Sequence, residues 1–364
     1  MPPLPSTDNP YVQSLPLAAK TAYIHHILPA EHDIGSANND RKLMHIRVLG
    51  ALLIHAPSKT ASECVAQEIA SATTDLSFGR HAVLDRLERL GKLYLDHFIC
   101  LFKKAKGRTP STSSPSSDHQ LARVQHEPIE TPRDHACARR YALIRDGFRC
   151  MLSGHIDWTV WKANTASFPP PAIITITYTN CCHIMPESTN SFASVNDPEL
   201  KVEWASGVWT ILDRFGYGDI RQELEGHAVH RLENVLTLRQ DLCNLFDSLD
   251  LWLEPVLGKE HAYTVHTYPL SALEAVHLTE QVQFSIHDMD LPGYPRPDAA
   301  HLPLPNSRYL ELHAACCKVA HTSGAAEYLD QMIRDVEETK VLAEDGGSAD
   351  VLDFAIMSRL ATPV

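Results

Sequence analysis

Residues Thr109 to Ser117 read Thr-Pro-Ser-Thr-Ser-Ser-Pro-Ser-Ser and hold no apolar side chain that could enter a core. A stretch of this composition cannot bury enough surface to offset the entropy of ordering it, so it predicts a flexible linker. The linker is placed at 109–132. The residues before and after it are therefore read in turn as two regions of the chain.

The first region reads as helix. Leu43, Ile46, Leu49 and Leu53 recur at helical spacing. Thr60-x-x-Glu63 is a capping box that opens a helix through Ile69. Leu84, Leu87, Leu95, Phe98 and Phe102 mark one face of a longer helix over 81–104. Residues 40–108 are therefore expected to be a helical region, and nothing in it points to chemistry. Residues 1–39 begin with several prolines and are expected to be a flexible N-terminal tail.

The second region mixes periods. Phe148–Leu152, Ala172–Tyr178, Leu251–Glu254, Ala262–Tyr268 and Val282–Ile286 are strand candidates. Trp204, Val208, Leu212 and Phe215 share a helical face, with Gly216 as its C-cap, and a further helix is expected from Asp241. Residues 306–342 read as one or two helices, with Gly324 a break. The expected fold class is α+β: a domain at 133–255, an α/β extension at 256–342 that packs on the core, and an acidic tail at 343–364.

Composition narrows the function. The chain has 364 residues, a normal hydrophobic share of 44%, and no apolar run near the roughly 20 residues of a membrane helix. Met1 to Leu15 lacks the basic-then-apolar order of a secretion signal. An intracellular address, nucleus or cytoplasm, is expected. The net charge of −13 argues against a protein that coats nucleic acid in bulk but allows a local basic site. One candidate is the run Arg133, Arg139, Arg140, Arg145 and Arg149, opposed only by Asp134 and Asp146. The 9 cysteines include no C-x-x-C, so reduced thiols are expected rather than a disulfide framework.

Four steps then stand in order: Arg145-Asp-Gly-Phe-Arg-Cys-Met-Leu-Ser-Gly154, Cys182-His-Ile-Met-Pro186, Glu233-Asn-Val-Leu-Thr-Leu238 and Asp241-Leu-Cys-Asn-Leu-Phe-Asp247. Together they resemble the HNH endonuclease domain, the ββα-metal fold, as found in the HNH proteins of fungi; the resemblance covers about 139–255. It implies a β-hairpin followed by a helix, a divalent cation, and hydrolysis of phosphodiester bonds in DNA. It assigns His183 as general base, at the exit of the second hairpin strand, and Asn234 as the residue that orients the loop or contacts the metal. Arg139, Arg140, Arg145 and Arg149 become candidate phosphate contacts.

The sequence departs from the family at two ligand positions. The helix residue, usually His, is Cys243, and the residue before the base is Cys182. Asp247, one turn after Cys243, and His230 are further candidate ligands. Mg²⁺ and Mn²⁺ favour oxygen ligands, whereas two thiolates favour Zn²⁺. Two other readings stay open: a degenerate HNH fold that binds nucleic acid or protein without cutting, and a zinc-stabilised module held by Cys182, Cys243 and His230. The sequence names no protein partner.

Overall fold

The computed structural model describes residues 3–36, 39–74, 79–103, 132–187, 198–294 and 297–338. The linker expected at 109–132, apart from Pro132, and the acidic tail expected at 343–364 lie outside them. The principal helices are α1 (Asp40–His55), α2 (Lys59–Thr74), α3 (Gly79–Tyr94), α4 (His135–Arg145), α5 (Pro198–Arg214), α6 (Gln240–Asp247), α7 (Ser307–Ser323) and α8 (Ala325–Glu338). The strands are β1 (Ile156–Asp157), β2 (Ile176–Thr177), β3 (Thr179–His183), β4 (Val235–Arg239), β5 (Leu251–Pro255), β6 (Ala262–Thr267) and β7 (Gln281–Gln283). Among the described residues no helix is long and apolar enough to cross a membrane.

α1 is the central helix. Every residue from Leu43 to Leu53 is buried, because α3 packs along it on one side and α7 on another. Gly91 is required where α1 and α3 cross, since a Cβ there would collide with the carbonyl oxygen of His45. α3 runs on through a wider π turn at Leu95–Ile99 to Phe102, and Phe98 meets Phe215 edge-on with 5.4 Å between ring centroids. Gly324, in the left-handed conformation at φ 79°, separates α7 from α8.

The residues fall into two cores divided by a two-stranded sheet. β3 and β4 pair antiparallel, from Thr179 opposite Arg239 to His183 opposite Val235. Successive strand side chains point to opposite faces. Accordingly Cys182, Leu236 and Leu238 enter a large core shared with α1, α2, α5 and α7, while Cys181 and Val235 enter a smaller one with Ala138, Ala142, Phe148 and Ile156. α6 covers the first face and α4 the second. β5, β6 and β7 form a separate antiparallel sheet beside α7.

Several expectations are corrected. Residues 10–36 are not a tail but short helices, Pro10–Gln13, Leu17–Ala22 and Leu28–Ser36, with Val12, Tyr23 and Ile27 at 0% exposure. They are tied down by Glu31, which accepts from the Leu4 backbone N–H at 3.0 Å and from Arg47 Nε at 2.6 Å. The prolines at its start conceal an apolar stripe of Ala19, Tyr23, Ile27 and Ala30. Phe148–Leu152 is a tight turn rather than a strand, since Gly147 and Phe148 both take positive φ and only Arg149 bridges to Ile156. Of the strand expected at 172–178 only β2, parallel to β1, is found, and β3 follows it at Thr179–His183. His183 ends the first strand of the antiparallel pair, not the second, and 184–234, including α5, intervenes before β4.

Candidate active site

Where β3 ends, the chain turns sharply and Asn234 holds the turn. This amide is fully buried: Oδ1 accepts from Met185 N–H at 2.8 Å, and Nδ2 donates to the carbonyls of Met185 and Val229, each at 2.9 Å. Its backbone carbonyl also accepts from Ile184 N–H at 2.8 Å. Asn234 thereby fixes the segment after His183 against the turn that carries His230. Full bonding is what makes a buried amide tolerable, because each unpaired group costs about 1–3 kcal/mol.

Arg145 braces Asn234 from behind. It is 0% exposed and ion-paired to Asp146 at 2.7 Å. Its guanidinium donates to the carbonyls of Leu232 at 2.7 Å, Val235 at 3.0 Å and Pro303 at 3.2 Å. Arg145 is therefore a strut, and complete burial corrects its expected role as a phosphate contact. Arg139 donates to the Thr179 carbonyl and pairs with Asp157 at 3.2 Å. Arg140 is buried, donates to the Gly293 carbonyl at 3.1 Å and lies over the Tyr294 ring. Arg149 is half-buried, bonds the Gly147 carbonyl at 3.2 Å, and lines an open cleft of about 380 Å³ with His155, Phe168 and Ile173.

The ring of His183, 5% exposed, stands on the α4 face of the sheet. Glu187 Oε1 lies 3.3 Å from its Nδ1, and His230 Nδ1 lies 3.1 Å from its Nε2. His135, the first residue of α4, brings its ring centroid to 5.5 Å. Burial pulls the His230 imidazole below its usual pKa, with Glu187 opposing and His135 adding to the shift. At the N-cap of α4, burial raises the Asp134 carboxyl, but the backbone N–H groups of Cys137 and Ala136 outweigh it and leave the net shift downward.

The thiols sit on the opposite face. Cys182 and Cys243 are bonded to each other, with Cα atoms 6.1 Å apart, inside the large core. This corrects the expectation of reduced thiols throughout. Asp247 Oδ2 lies 3.9 Å from Cys243 Sγ. Burial raises Cys181, on the α4 face, to about 12, so it stays a thiol. The residues expected around one cation are thus divided: Cys182, Cys243 and Asp247 form one group, while His183 falls in another with His135 and Glu187, and His230 lies beside that second group. Strand alternation separates the neighbours Cys182 and His183. His135 and Glu187 were not anticipated, although Glu187 stands four residues after the base.

Residues 150–254 match the model of a family described as HNH endonuclease. The chain carries an HNH domain. The matched residues take in His183, Glu187, His230, Asn234, Cys243 and Asp247, while His135 and α4 lie ahead of them. No curated protein and no solved structure matches the chain. The fungal likeness rests on the sequence steps alone.

The donor chemistry tests which cation the HNH domain could hold. Cys182, Cys243 and Asp247 suit a soft or borderline ion such as Zn²⁺ once both sulfurs are reduced, because thiolates are poor ligands for Mg²⁺ or Mn²⁺. While the two sulfurs are bonded to each other they supply no thiolate.

Proposed function

We propose that the HNH domain is an endonuclease that hydrolyses phosphodiester bonds of DNA, with His183 as general base. The observation that carries this is the Glu187 carboxylate 3.3 Å from Nδ1 of His183. A carboxylate there favours the tautomer with the proton on Nδ1 and the lone pair on Nε2, which faces His230 Nδ1 at 3.1 Å and would take a proton from water when the His230 ring gives way. Asn234 is a positioning residue, because it pins the turn beyond the base through Met185. Arg149, beside an open cleft, is the arginine best placed to meet a phosphate. Cys182, Cys243 and Asp247 would hold the divalent cation in the reduced chain. That cation supplies a charge sink for the leaving oxygen when bound.

One observation favours a second reading. The Cys182–Cys243 bond removes both thiolates, and a chain locked in that form is an HNH fold that binds nucleic acid or a protein without cutting. Nicking of supercoiled plasmid by the reduced chain, with Zn²⁺, Mn²⁺ or Mg²⁺, separates the two. Cleavage lost in His183→Ala with DNA binding retained supports the nuclease. Plasmid bound but intact in every metal leaves only the binding module.

A further inference from the structure

We propose that His135, His183 and Glu187 form a second cation site of the zinc type, on the α4 face of the β3–β4 sheet and separate from the thiol group. One ring nitrogen from each histidine and one carboxylate oxygen already lie within 4.8 Å of one another. Four-coordinate Zn²⁺ with bonds of about 2.0–2.1 Å requires ligand atoms roughly 3.3–3.4 Å apart. His183 and Glu187 meet that spacing at 3.3 Å. His135 is exposed at the start of its helix, so its side chain can move the remaining ångström or so without disturbing packing.

The surroundings match what a cation site needs. His135 Nε2 faces the Cys181 carbonyl at 3.3 Å, which favours the tautomer with its lone pair on Nδ1. Metal-bound histidines commonly have their second nitrogen held in this way. His183 and Glu187 are held by the turn that Asn234 pins. His230, with Nδ1 3.8 Å from the same Glu187 oxygen, is the nearest candidate for a fourth ligand. Two neutral imidazoles and one carboxylate suit Zn²⁺ or Co²⁺, and the exposed side of His135 gives the ion a path in.

The site has a consequence that rests on the nuclease reading. A cation on Nδ1 of His183 leaves the ring proton on Nε2, the nitrogen that a general base needs unprotonated, so filling the site stops cleavage. Binding itself does not depend on that reading.

The test uses the full chain with its Cys182–Cys243 bond intact and Co²⁺ or Zn²⁺ alone as probe. The oxidised protein should bind one ion per chain, and bound Co²⁺ should show ligand-field bands without sulfur-to-metal charge transfer. His135→Ala and Glu187→Gln should each weaken binding at least about tenfold while circular dichroism stays that of the wild type. If the reduced wild-type chain cuts DNA, His135→Ala should keep basal cleavage and shift the inhibition by Zn²⁺ added beyond the ion held by the thiol group, by the factor seen in binding. No ion bound by the oxidised wild-type chain would overturn the site. So would undiminished affinity in both variants, or a sulfur-to-cobalt band.

Discussion

The two faces of the β3–β4 sheet are built differently. On the α6 side, Cys182, Leu236 and Leu238 join an apolar core that runs through α1, α2, α5 and α7. On the α4 side, buried Arg145, Asp146, Asp157, Thr179, His183 and Asn234 surround a small apolar cluster. Burial of apolar surface is worth about 25 cal/mol per Å² and needs no particular partner. A buried charge or amide is stable only when every group is bonded, which fixes its position. The first face therefore supplies stability, and the second holds chemical groups at set distances.

The largest effect should come from breaking the polar face. Arg145→Ala leaves Asp146 buried without its cation and removes donors from three carbonyls, which should cost about 3–5 kcal/mol. A shift in the urea midpoint reads this, and a loss below 1 kcal/mol would mean the strut is dispensable. His183→Ala tests chemistry on the same face. It should lower cleavage by about 10²- to 10⁴-fold with the melting temperature nearly unchanged. A variant that cuts as fast as wild type would remove His183 as the base.

Acid should instead act through the helical region. Burial, with Arg41 and Lys92 adding to it and Glu88 opposing, lowers His45 to about 4. The unfolded chain protonates this residue near pH 6.5, whereas the folded chain resists until about pH 4. Its share of stability is complete above pH 6.5 and is lost as pH falls toward 4, to a total of about 3 kcal/mol. Burial also lowers His55 on the same helix to about 4, so His45→Gln should reduce the slope of urea midpoints over that window without abolishing it; an unchanged slope would assign the acid sensitivity elsewhere.

The smallest effect belongs to the apolar face. In the reduced chain Cys243→His places a larger ring where Cys243 is 7% exposed, and should cost about 1–3 kcal/mol. Higher cleavage in Mg²⁺ or Mn²⁺ at an unchanged melting temperature would instead show that this face can accommodate a family-like ligand.

Apolar runs and stripes made α1, α5, β5 and β6 legible, because each carries enough apolar residues to bury. The same signal missed the helices of 10–36, where prolines at the start hide a stripe that the Glu31–Arg47 pair helps to anchor. The site was legible where it is local. His183, Asn234 and Cys243 belong to short ordered steps that read without a structure. His135 was not, because it lies before the HNH match and approaches His183 only through the packing of α4 on β3.

The sequence by itself determined which chemical groups the chain carries: a histidine and an asparagine within short HNH-like steps, and cysteines at 182 and 243. Only the tertiary structure decided how those groups are shared out. Adjacent strand residues face opposite ways, so Cys182 closes on Cys243 in one core while His183 meets His135, Glu187 and His230 beside the other. That division depends on which helix covers which face of the sheet, a long-range choice that no local spacing encodes.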